Sequence, residues 1–427
     1  MKDKILGCCS VVAAAMSLLI VTPVHALAST LPPTLPLADP VVVATFDTGT
    51  NPFHPCFRRP GLASPSQVVP NFPTTATPLN LTFSGTYASS KTASTSAINA
   101  IQDRKLYYIP GTNLTFYGGS SAKSQLVDTY PHGAQASSQI ACDDFGMGSN
   151  ALLVILNWYY DVPEGPELIR WAADQPWIDI IHLNIQDFPL IVEDAPEVRY
   201  AISKGKLLVV AGGNGVFGQG ASYPMELSKW NGPPGSLIAG ANDNDGYTIY
   251  SNMDPHVVMD GIKTVAAHPS NFGSTSFSGT SSASPRLTGY AARIVGALRR
   301  EFGHSGSGLV NIPTANPRPS SGPLTDGLLT VAELHEVIRK TANPNPHASY
   351  YDGAGGLGSF WNAPQPFTSP VSMYAKMGYG EVSEHTITAA VDVAAGRMAS
   401  PLRTEDRFYE VSEAARFALW AKRLGRQ

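Results

Sequence analysis

Positive charge, cysteine and internal repetition are all scarce in this chain. Its 29 Lys and Arg against 33 Asp and Glu give a formal charge of -4. No basic surface of the kind that draws proteins to nucleic-acid phosphates or anionic lipid is therefore expected. The sequence contains no internal repeat and no His/Cys cluster with metal-ligand spacing. What it does have is 43% hydrophobic content over 427 residues, enough to bury the core of an enzyme-sized globular protein.

The first 28 residues are typical of a signal peptide. Lys2 and Lys4 precede an apolar stretch at 5–24, and an Ala-Leu-Ala sequence at 26–28 places small residues where signal peptidase cleaves. The alternative is a membrane anchor, since about 20 apolar residues can span a bilayer. The small-x-small ending and Pro23 favour removal. We therefore expect a secreted protein, extracellular or periplasmic, with no stable membrane anchor after cleavage.

The chain has only four cysteines. Cys8 and Cys9 lie within the predicted signal peptide, so the mature chain keeps Cys56 and Cys142. An exported protein enters a compartment that permits disulfides. Sequence alone leaves two interpretations equally open, one bridge or two buried free thiols.

Apolar runs without in/out alternation recur along the chain. Such runs are typical of parallel strands that are covered on both faces. The predicted strands are 41–46, 151–156, 178–183, 207–211 and 237–239. Helical segments at 167–174 and 197–204 lie between them, each opened by a proline. This alternation predicts an α/β fold with a doubly wound, mostly parallel sheet flanked by helices and a functional crevice at the carboxyl ends of the strands.

We divide the chain into four regions. These are the signal peptide at 1–28, an extended arm at 29–40, the main domain at 41–395 and a C-terminal helical tail at 396–427, with insertions in the main domain near 60–128, 304–323 and 343–377. The stretch 60–128 is rich in Ser, Thr, Gly and Pro and predicts an elaborated surface insertion. Thr330 and Glu333 form a capping box that predicts the start of a helix.

The strongest local motif lies at 279–285, which reads Gly-Thr-Ser-Ser-Ala-Ser-Pro and precedes apolar positions at helical spacing. It places Ser281 at a helix start, where free amides and the helix dipole favour developing negative charge. A serine there can serve as a nucleophile. Taken alone, the segment is better explained as an ordinary N-cap, because Ser and Thr are common helix starters.

A serine nucleophile needs a base, and the base needs an acid to orient it. Asp47 ends the first predicted strand in an Asp-Thr-Gly sequence, and His132 precedes a helical pattern. Asn214 follows another predicted strand, in a Gly-Gly-Asn-Gly sequence between the histidine and Ser281. Each of these motifs, taken alone, is weak evidence for a catalytic role. The order Asp, His, Ser is nevertheless that of subtilisin and differs from those of chymotrypsin and the α/β-hydrolases.

These four segments resemble the subtilisin-like serine peptidase family, whose blocks read Asp-Thr-Gly, His-Gly, Ala-Gly-Asn and Gly-Thr-Ser-x-Ala-Ser-Pro. The resemblance spans roughly 41–391. It implies a three-layer subtilisin-like fold and a secreted serine endopeptidase that works through an acyl-enzyme without a cofactor. By this resemblance Asp47 orients His132 and His132 is the base and later the acid. Ser281 attacks the peptide carbonyl, and Asn214 stabilises the oxyanion.

The resemblance also bears on the cysteines. Many relatives have a calcium site that clips the segment after the triad Asp to the loop after the triad His helix. Cys56 and Cys142 map to those two places, and the intervening loop is shorter than the family's calcium loop. The resemblance therefore implies a Cys56–Cys142 disulfide in the role of that clip. It allows a structural calcium ion, which the residues themselves do not indicate.

The chain departs from the family pattern at several points. The family's His-Gly-Thr-His block reads His-Gly-Ala-Gln at 132–135, and the substrate strand that usually ends in Ser-Leu-Gly-Gly reads Leu-Asn-Ile-Gln-Asp at 183–187. Because side chains replace the glycines of that strand, substrate specificity does not carry over. Few residues separate the predicted cleavage site from Asp47, whereas secreted relatives usually carry a foldable propeptide there.

Three functions follow as alternatives. The first is the endopeptidase, a monomer acting on protein or peptide substrates. The second is a subtilisin-like domain that binds peptides or partners with little or no proteolytic activity, which the altered substrate strand motivates. The third is a serine esterase of the α/β-hydrolase kind, which would use an acid after Ser281 such as Asp326. The chain order argues against the esterase.

Overall fold

The computed structural model describes residues 40–118, 126–158, 165–184, 190–214, 236–243, 246–247, 251, 255–343 and 380–401. All of them belong to one compact unit, Pro36–Gln427. The predicted signal peptide, nearly all of the N-terminal arm, all but the first residue of the 343–377 insertion and most of the C-terminal tail lie outside these residues. Among the helices that are described, none combines the length and apolar character needed to cross a bilayer.

The described residues form alternating strands and helices. The strands are β1 (Val41–Asp47), β2 (Thr77–Pro78), β3 (Leu106–Tyr108), β4 (Leu114–Tyr117), β5 (Ala151–Asn157), β6 (Ile180–Leu183), β7 (Leu207–Ala211), β8 (Ser236–Asp243), β9 (Gly246–Tyr247), β10 (Val257–Asp260), β11 (Thr264–Ala267), β12 (Ser274–Phe277), β13 (Val310–Asn311) and β14 (Leu328–Leu329). The α-helices are α1 (Tyr87–Ala93), α2 (Thr95–Asn99), α3 (Gly133–Ala141), α4 (Gly165–Asp174), α5 (Leu190–Ser203), α6 (Thr280–Phe302), α7 (Val331–Thr341) and α8 (Glu384–Ala394).

One large sheet organises the fold. Its strand order is β10-β8-β7-β6-β1-β5-β4-β3-β2, with β9 paired to β8. The seven strands from β10 to β4 pair in parallel, and antiparallel pairs occur only at the β3–β4 and β8–β9 steps of this sheet, among the strands described. This confirms the predicted doubly wound, mostly parallel α/β fold. The first strand lies near the middle of the sheet, between β5 and β6.

The sheet is covered on both faces, as its unbroken apolar strands predict. Alternate residues of β1 enter two different hydrophobic clusters. Val41 and Val43 pack in the cluster that includes the helices α3 and α6, whereas Val42 and Ala44 pack in the cluster that includes α4 and α5. The strand β1 is therefore covered on both faces and paired on both edges.

Two sequence-based expectations need correction. The helix predicted to open at Pro196 begins earlier, at Leu190, and contains Pro196 in its interior. An interior proline removes one backbone hydrogen bond, and the helix nevertheless continues through Pro196. The stretch 60–128 is not confined to the surface, since it supplies β2, β3 and β4 to the sheet.

A buried ion pair anchors the far end of α6. The Arg299 guanidinium donates to Asp179 Oδ1 at 2.7 Å and to Asp179 Oδ2 at 3.2 Å. It also donates to three backbone carbonyls, and the side chains are only 4% and 8% exposed. Asp179 Oδ2 in turn accepts the amide of Val42 at 2.8 Å. The pair therefore links α6 to the start of both β1 and β6.

Replacing Arg299 by Met should leave the Asp179 carboxylate buried without its cation and lower the free energy of unfolding by about 3–5 kcal/mol. The matched control is Arg293→Met on the same helix. Arg293 pairs with Glu384 at 2.8 Å, but the two side chains are 43% and 65% exposed, so the control should cost less than about 1 kcal/mol. Urea unfolding of both variants measures the difference, and equal losses would contradict this account.

A disulfide joins the two segments that follow the predicted triad residues Asp47 and His132. Cys56 lies in a short 3-10 helix, Cys142 directly follows α3, and their Cα atoms are 5.0 Å apart. Arg59 lies beside the bridge, donates to the carbonyls of Cys56 and Ala141 at 3.2 Å each, and pairs with Asp143 at 2.7 Å. A covalent bond and a buried cation thus connect the same two segments.

Non-reducing peptide mapping should recover a peptide containing Cys56 linked to one containing Cys142. The double variant Cys56→Ser with Cys142→Ser should lose about 2–5 kcal/mol of stability, because the bridge closes a loop between positions 86 residues apart and restricts the unfolded chain. Recovery of both cysteines as alkylated thiols without reductant would show that the bridge does not form.

Candidate active site

Asp47 ends β1 at the carboxyl edge of the sheet and is 2% exposed. Donors from three residues surround its carboxylate. Oδ1 accepts the amide of Thr48 at 2.7 Å and meets His132 Nδ1 at 2.8 Å, while Oδ2 accepts Asn184 Nδ2 at 2.9 Å. Burial alone would raise the pKa of Asp47, but the charge of His132 and these hydrogen bonds outweigh burial and hold the pKa below its usual value. Asp47 is thus an ionised, fully engaged carboxylate.

His132 lies at the N-cap of α3, against the turn that follows β1. The approach is close: a Cβ on Gly133 would come within 2.3 Å of the Gly49 carbonyl oxygen, so only glycine fits after the histidine. The ring packs edge-on against Phe277, with centroids 5.2 Å apart. Because Nδ1 faces a carboxylate, it carries the proton and leaves Nε2 as a proton acceptor.

The pKa of His132 lies above its ordinary value. Burial lowers it, but the adjacent Asp47 charge, the hydrogen bond to Asp47 and the charge of Asp128 raise it by more. A histidine whose cation is stabilised in this way is suited to accept a proton during a reaction.

Ser281 lies in the first turn of α6, as predicted. Gly279, at the N-cap, has φ of 104°, a conformation that L side chains rarely adopt. The backbone carbonyl of Ser281 accepts Asn184 Nδ2 at 3.1 Å, from the same nitrogen that donates to Asp47. Within the described residues, no hydrogen bond joins the His132 ring to the Ser281 hydroxyl; Asp47 and Asn184 connect the two residues.

Asn214 lies just after β7, beside the residue that precedes Ser281. Its Oδ1 accepts the amide of Thr280 at 2.9 Å and the Thr280 hydroxyl at 3.2 Å. With Oδ1 held in this way, the amide group Nδ2 is the part of the side chain that can donate elsewhere. The structure therefore brings all four sequence-predicted residues to one edge of the sheet.

Sequence reasoning missed Asp128. Its carboxylate accepts the Thr48 hydroxyl at 2.9 Å and the amides of Tyr130 and Ala134 at 2.9 and 2.7 Å. Burial, with a smaller contribution from the Asp47 charge, raises the pKa of Asp128 to about 6 against the opposing effect of these hydrogen bonds. An acid shortly before a helix that accepts an amide of the first turn, here that of Ala134, is a recognisable N-terminal signal. Asp128 fixes the turn that presents His132.

Asn184 was also missed, because the departure at 183–187 suggested only an altered substrate strand. Its side chain instead turns inward onto Asp47 and is 4% exposed. No sequence pattern distinguishes an asparagine that follows a strand and faces solvent from one that faces a buried carboxylate.

His54, Cys56 and Cys142 place potential metal-ligand atoms within 4.8 Å of one another. Both sulfurs belong to the disulfide, so they offer no thiolate to a metal ion. His54 Nδ1 also accepts the amide of Cys56 at 3.3 Å. This cluster is a structural one.

Comparisons with known proteins found similar solved structures and a matching family model. Several solved structures are similar at low identity. They include the prenylagaramide maturation protease PagA (16% identity, 84% of this chain and 95% of that chain, TM-score 0.48), the PatG macrocyclase domain (17%, 84% and 93%, TM-score 0.49) and a cold adapted subtilisin-like serine proteinase (15%, 74% and 86%, TM-score 0.44). No curated protein matches the chain.

The model of the Subtilase family matches residues 185–355. This part of the chain contains Asn214 and Ser281 but neither Asp47 nor His132, which reach the site through the sheet and α3. The family match confirms the subtilisin-like resemblance, and residues 185–355 carry the pattern of the Subtilase family.

Proposed function

We propose that this chain is a secreted serine endopeptidase that hydrolyses peptide bonds through Asp47, His132 and Ser281. The observation that supports this most directly is the 2.8 Å contact between His132 Nδ1 and Asp47 Oδ1, in a site where the segment carrying Ser281 is tied to the same carboxylate. A serine-type peptidase agrees with the Subtilase match. The substrate class is protein or peptide, the chemistry needs no cofactor, and the enzyme acts as a monomer outside the cytoplasm.

In the proposed reaction, His132 Nε2 takes the proton from the Ser281 hydroxyl as the oxygen attacks the scissile carbonyl. Asp47 remains ionised and stabilises the imidazolium. The developing oxyanion accepts hydrogen bonds from Asn214 Nδ2 and from the amide of Ser281, at the N-terminus of α6. His132 then donates its proton to the leaving amine. In the second half of the reaction, His132 takes a proton from water as the water oxygen attacks the acyl carbonyl, and returns it to Ser281 Oγ as the acyl-enzyme bond breaks.

The second candidate is a subtilisin-like domain that binds peptides with little or no cleavage. The observation in its favour is that, in the described part of the chain, the His132 ring and the Ser281 hydroxyl are not hydrogen-bonded to each other. Such contacts often tighten only when substrate binds, so covalent labelling separates the two functions better than geometry does.

A fluorophosphonate probe should label the wild-type protein on Ser281, because the His132–Asp47 pair activates that hydroxyl in the proposed mechanism. Ser281→Ala should abolish labelling and lower peptide hydrolysis by more than about 10³-fold. Asp47→Asn should reduce labelling strongly while leaving the hydroxyl in place. Mass spectrometry of the labelled peptide identifies the site. A folded wild-type protein that resists labelling would favour the binding domain.

The activity should fall on the acidic side with a midpoint above the ordinary histidine value of 6.5, because His132 must be neutral to accept a proton and its pKa is raised. Asp128 contributes to that rise. Asp128→Asn, which preserves the shape of the side chain, should move the midpoint of the kcat/KM profile to lower pH. A wild-type midpoint at or below 6.5, or no movement in the variant, would contradict this electrostatic account.

A further inference from the structure

A hydrogen-bonded network of buried polar side chains extends from Asp47 between β1, β6 and α6. Asn184 Oδ1 accepts the Ser284 hydroxyl at 2.7 Å, and Ser284 Oγ lies 2.9 Å from His182 Nε2. His182 Nδ1 lies 2.9 Å from the hydroxyl of Thr45. All four residues are at most 4% exposed. None of them belongs to the proposed triad.

The donor and the acceptor of each hydrogen bond in this network follow from the bond that Asn184 makes to Asp47. The carboxylate and the Ser281 carbonyl can only accept, so the NH₂ group of Asn184 must face them and its oxygen must face Ser284. Ser284 has one hydroxyl hydrogen and gives it to that oxygen. It must then accept from His182 Nε2–H, which leaves Nδ1 of the same ring to accept from Thr45.

This arrangement requires a neutral His182, and the surroundings supply that condition. Burial lowers the pKa of His182 to about 3, against a smaller opposing effect of the Asp47 charge. A cationic ring would have a hydrogen on both nitrogens. At the pH where His132 can act as a base, His182 is therefore neutral and has its hydrogen on Nε2, as this network requires.

A buried polar network contributes less to stability than apolar side chains that fill the same space. Buried polar groups are tolerated only when their hydrogen bonds are satisfied, and apolar side chains of similar size would fill this space without that requirement. Here the network ends on one nitrogen, Asn184 Nδ2, which bonds both Asp47 Oδ2 and the Ser281 carbonyl. It is the one side-chain atom on the described part of the chain that is hydrogen-bonded both to Asp47 and to Ser281.

We propose that Asn184 is a positioning residue that fixes the Asp47 carboxylate relative to the start of α6, and that Ser284 and His182 keep its amide in the donating orientation. This inference rests on the proposed peptidase function. By occupying Oδ2, Asn184 prevents the carboxylate from turning away from His132. By holding the Ser281 carbonyl, it also fixes the main-chain segment whose amide faces the oxyanion.

Asn184→Ala tests the inference through the separation of kcat from KM. The variant should lower kcat by at least about tenfold and leave KM within about twofold of wild type, because the lost contact orients the reacting groups rather than the substrate. Ser284→Ala should lower kcat in the same direction by a smaller factor. The rate of fluorophosphonate labelling should fall in parallel with kcat.

The matched control is Asn113→Ala. Asn113 is likewise buried and shares its Nδ2 between two acceptors, the carbonyls of Ala141 and Ala151 at 3.0 Å each, but it touches no residue of the candidate site. It should lose stability and keep its kcat. A loss of kcat in both variants alike would assign Asn184 a structural role and overturn the inference.

A second variant gives a signature that a structural role would not produce. Asn184→Asp keeps the shape and the oxygen that accepts from Ser284, but its new carboxyl can donate to Asp47 only while it is protonated. The ratio of variant to wild-type kcat should therefore fall as the pH is raised. The other titratable groups here are Asp47, His132, Asp128 and His182. An ionised carboxylate at position 184 also raises the pKa of His132, so the ratio is read above the acidic limbs of both pH profiles, where His132 is neutral in each protein.

The outcomes are distinct. If the wild-type protein neither hydrolyses peptides nor takes the fluorophosphonate, the proposed function fails and this inference fails with it. If the wild type is active and Asn184→Ala retains its kcat, or the Asn184→Asp ratio is the same at every pH, the inference alone is overturned.

Discussion

The structure depends above all on keeping one carboxylate ionised inside the protein. Asp47 is almost fully buried at the end of a central strand, where an unpaired charge would destabilise the fold by several kcal/mol. The surrounding polar groups can be understood as responses to that requirement. The Thr48 amide, the His132 ring and the Asn184 amide approach it from three different segments. The need to satisfy a buried negative charge thus also assembles the candidate site.

Around this charge, the protein separates the roles of its acidic and basic groups by environment. Asp47 has donors from three residues and a lowered pKa, whereas Asp128, with a similar set of donors, has its pKa raised to about 6 by burial and by the charge of Asp47. His132 and His182 differ in the same way. Contact with Asp47 raises the pKa of His132, while burial without a carboxylate partner lowers that of His182. Side chains of the same type therefore have opposite pKa shifts within one site.

The sequence carried much of this architecture. The apolar runs at 41–46, 151–156 and 207–211 correspond closely to β1, β5 and β7, because a strand that is buried on both faces needs apolar side chains at successive positions. The motif order also selected Asp47 and His132, which the fold does bring into contact. The short strands β2 to β4 escaped prediction, since two to four residues with mixed polarity join a sheet through their neighbours rather than through any pattern of their own. Asn184 and Asp128 escaped for a related reason, because the buried charge that gives them their roles is remote in sequence.

The strand β6 has a contact with α6 at each of its ends. Asp179, just before the strand, binds Arg299 in the last turns of the helix, and Asn184, just after the strand, binds the carbonyl of Ser281 in its first turn. Because α6 is bound near both of its ends, it can neither slide nor rotate without breaking one of these two contacts. The position of Ser281 is therefore set partly by an ion pair at the amino ends of the strands. The Ser281 hydroxyl can then adjust through rotation of its own side chain and through the turn at Gly279 rather than through movement of the whole helix.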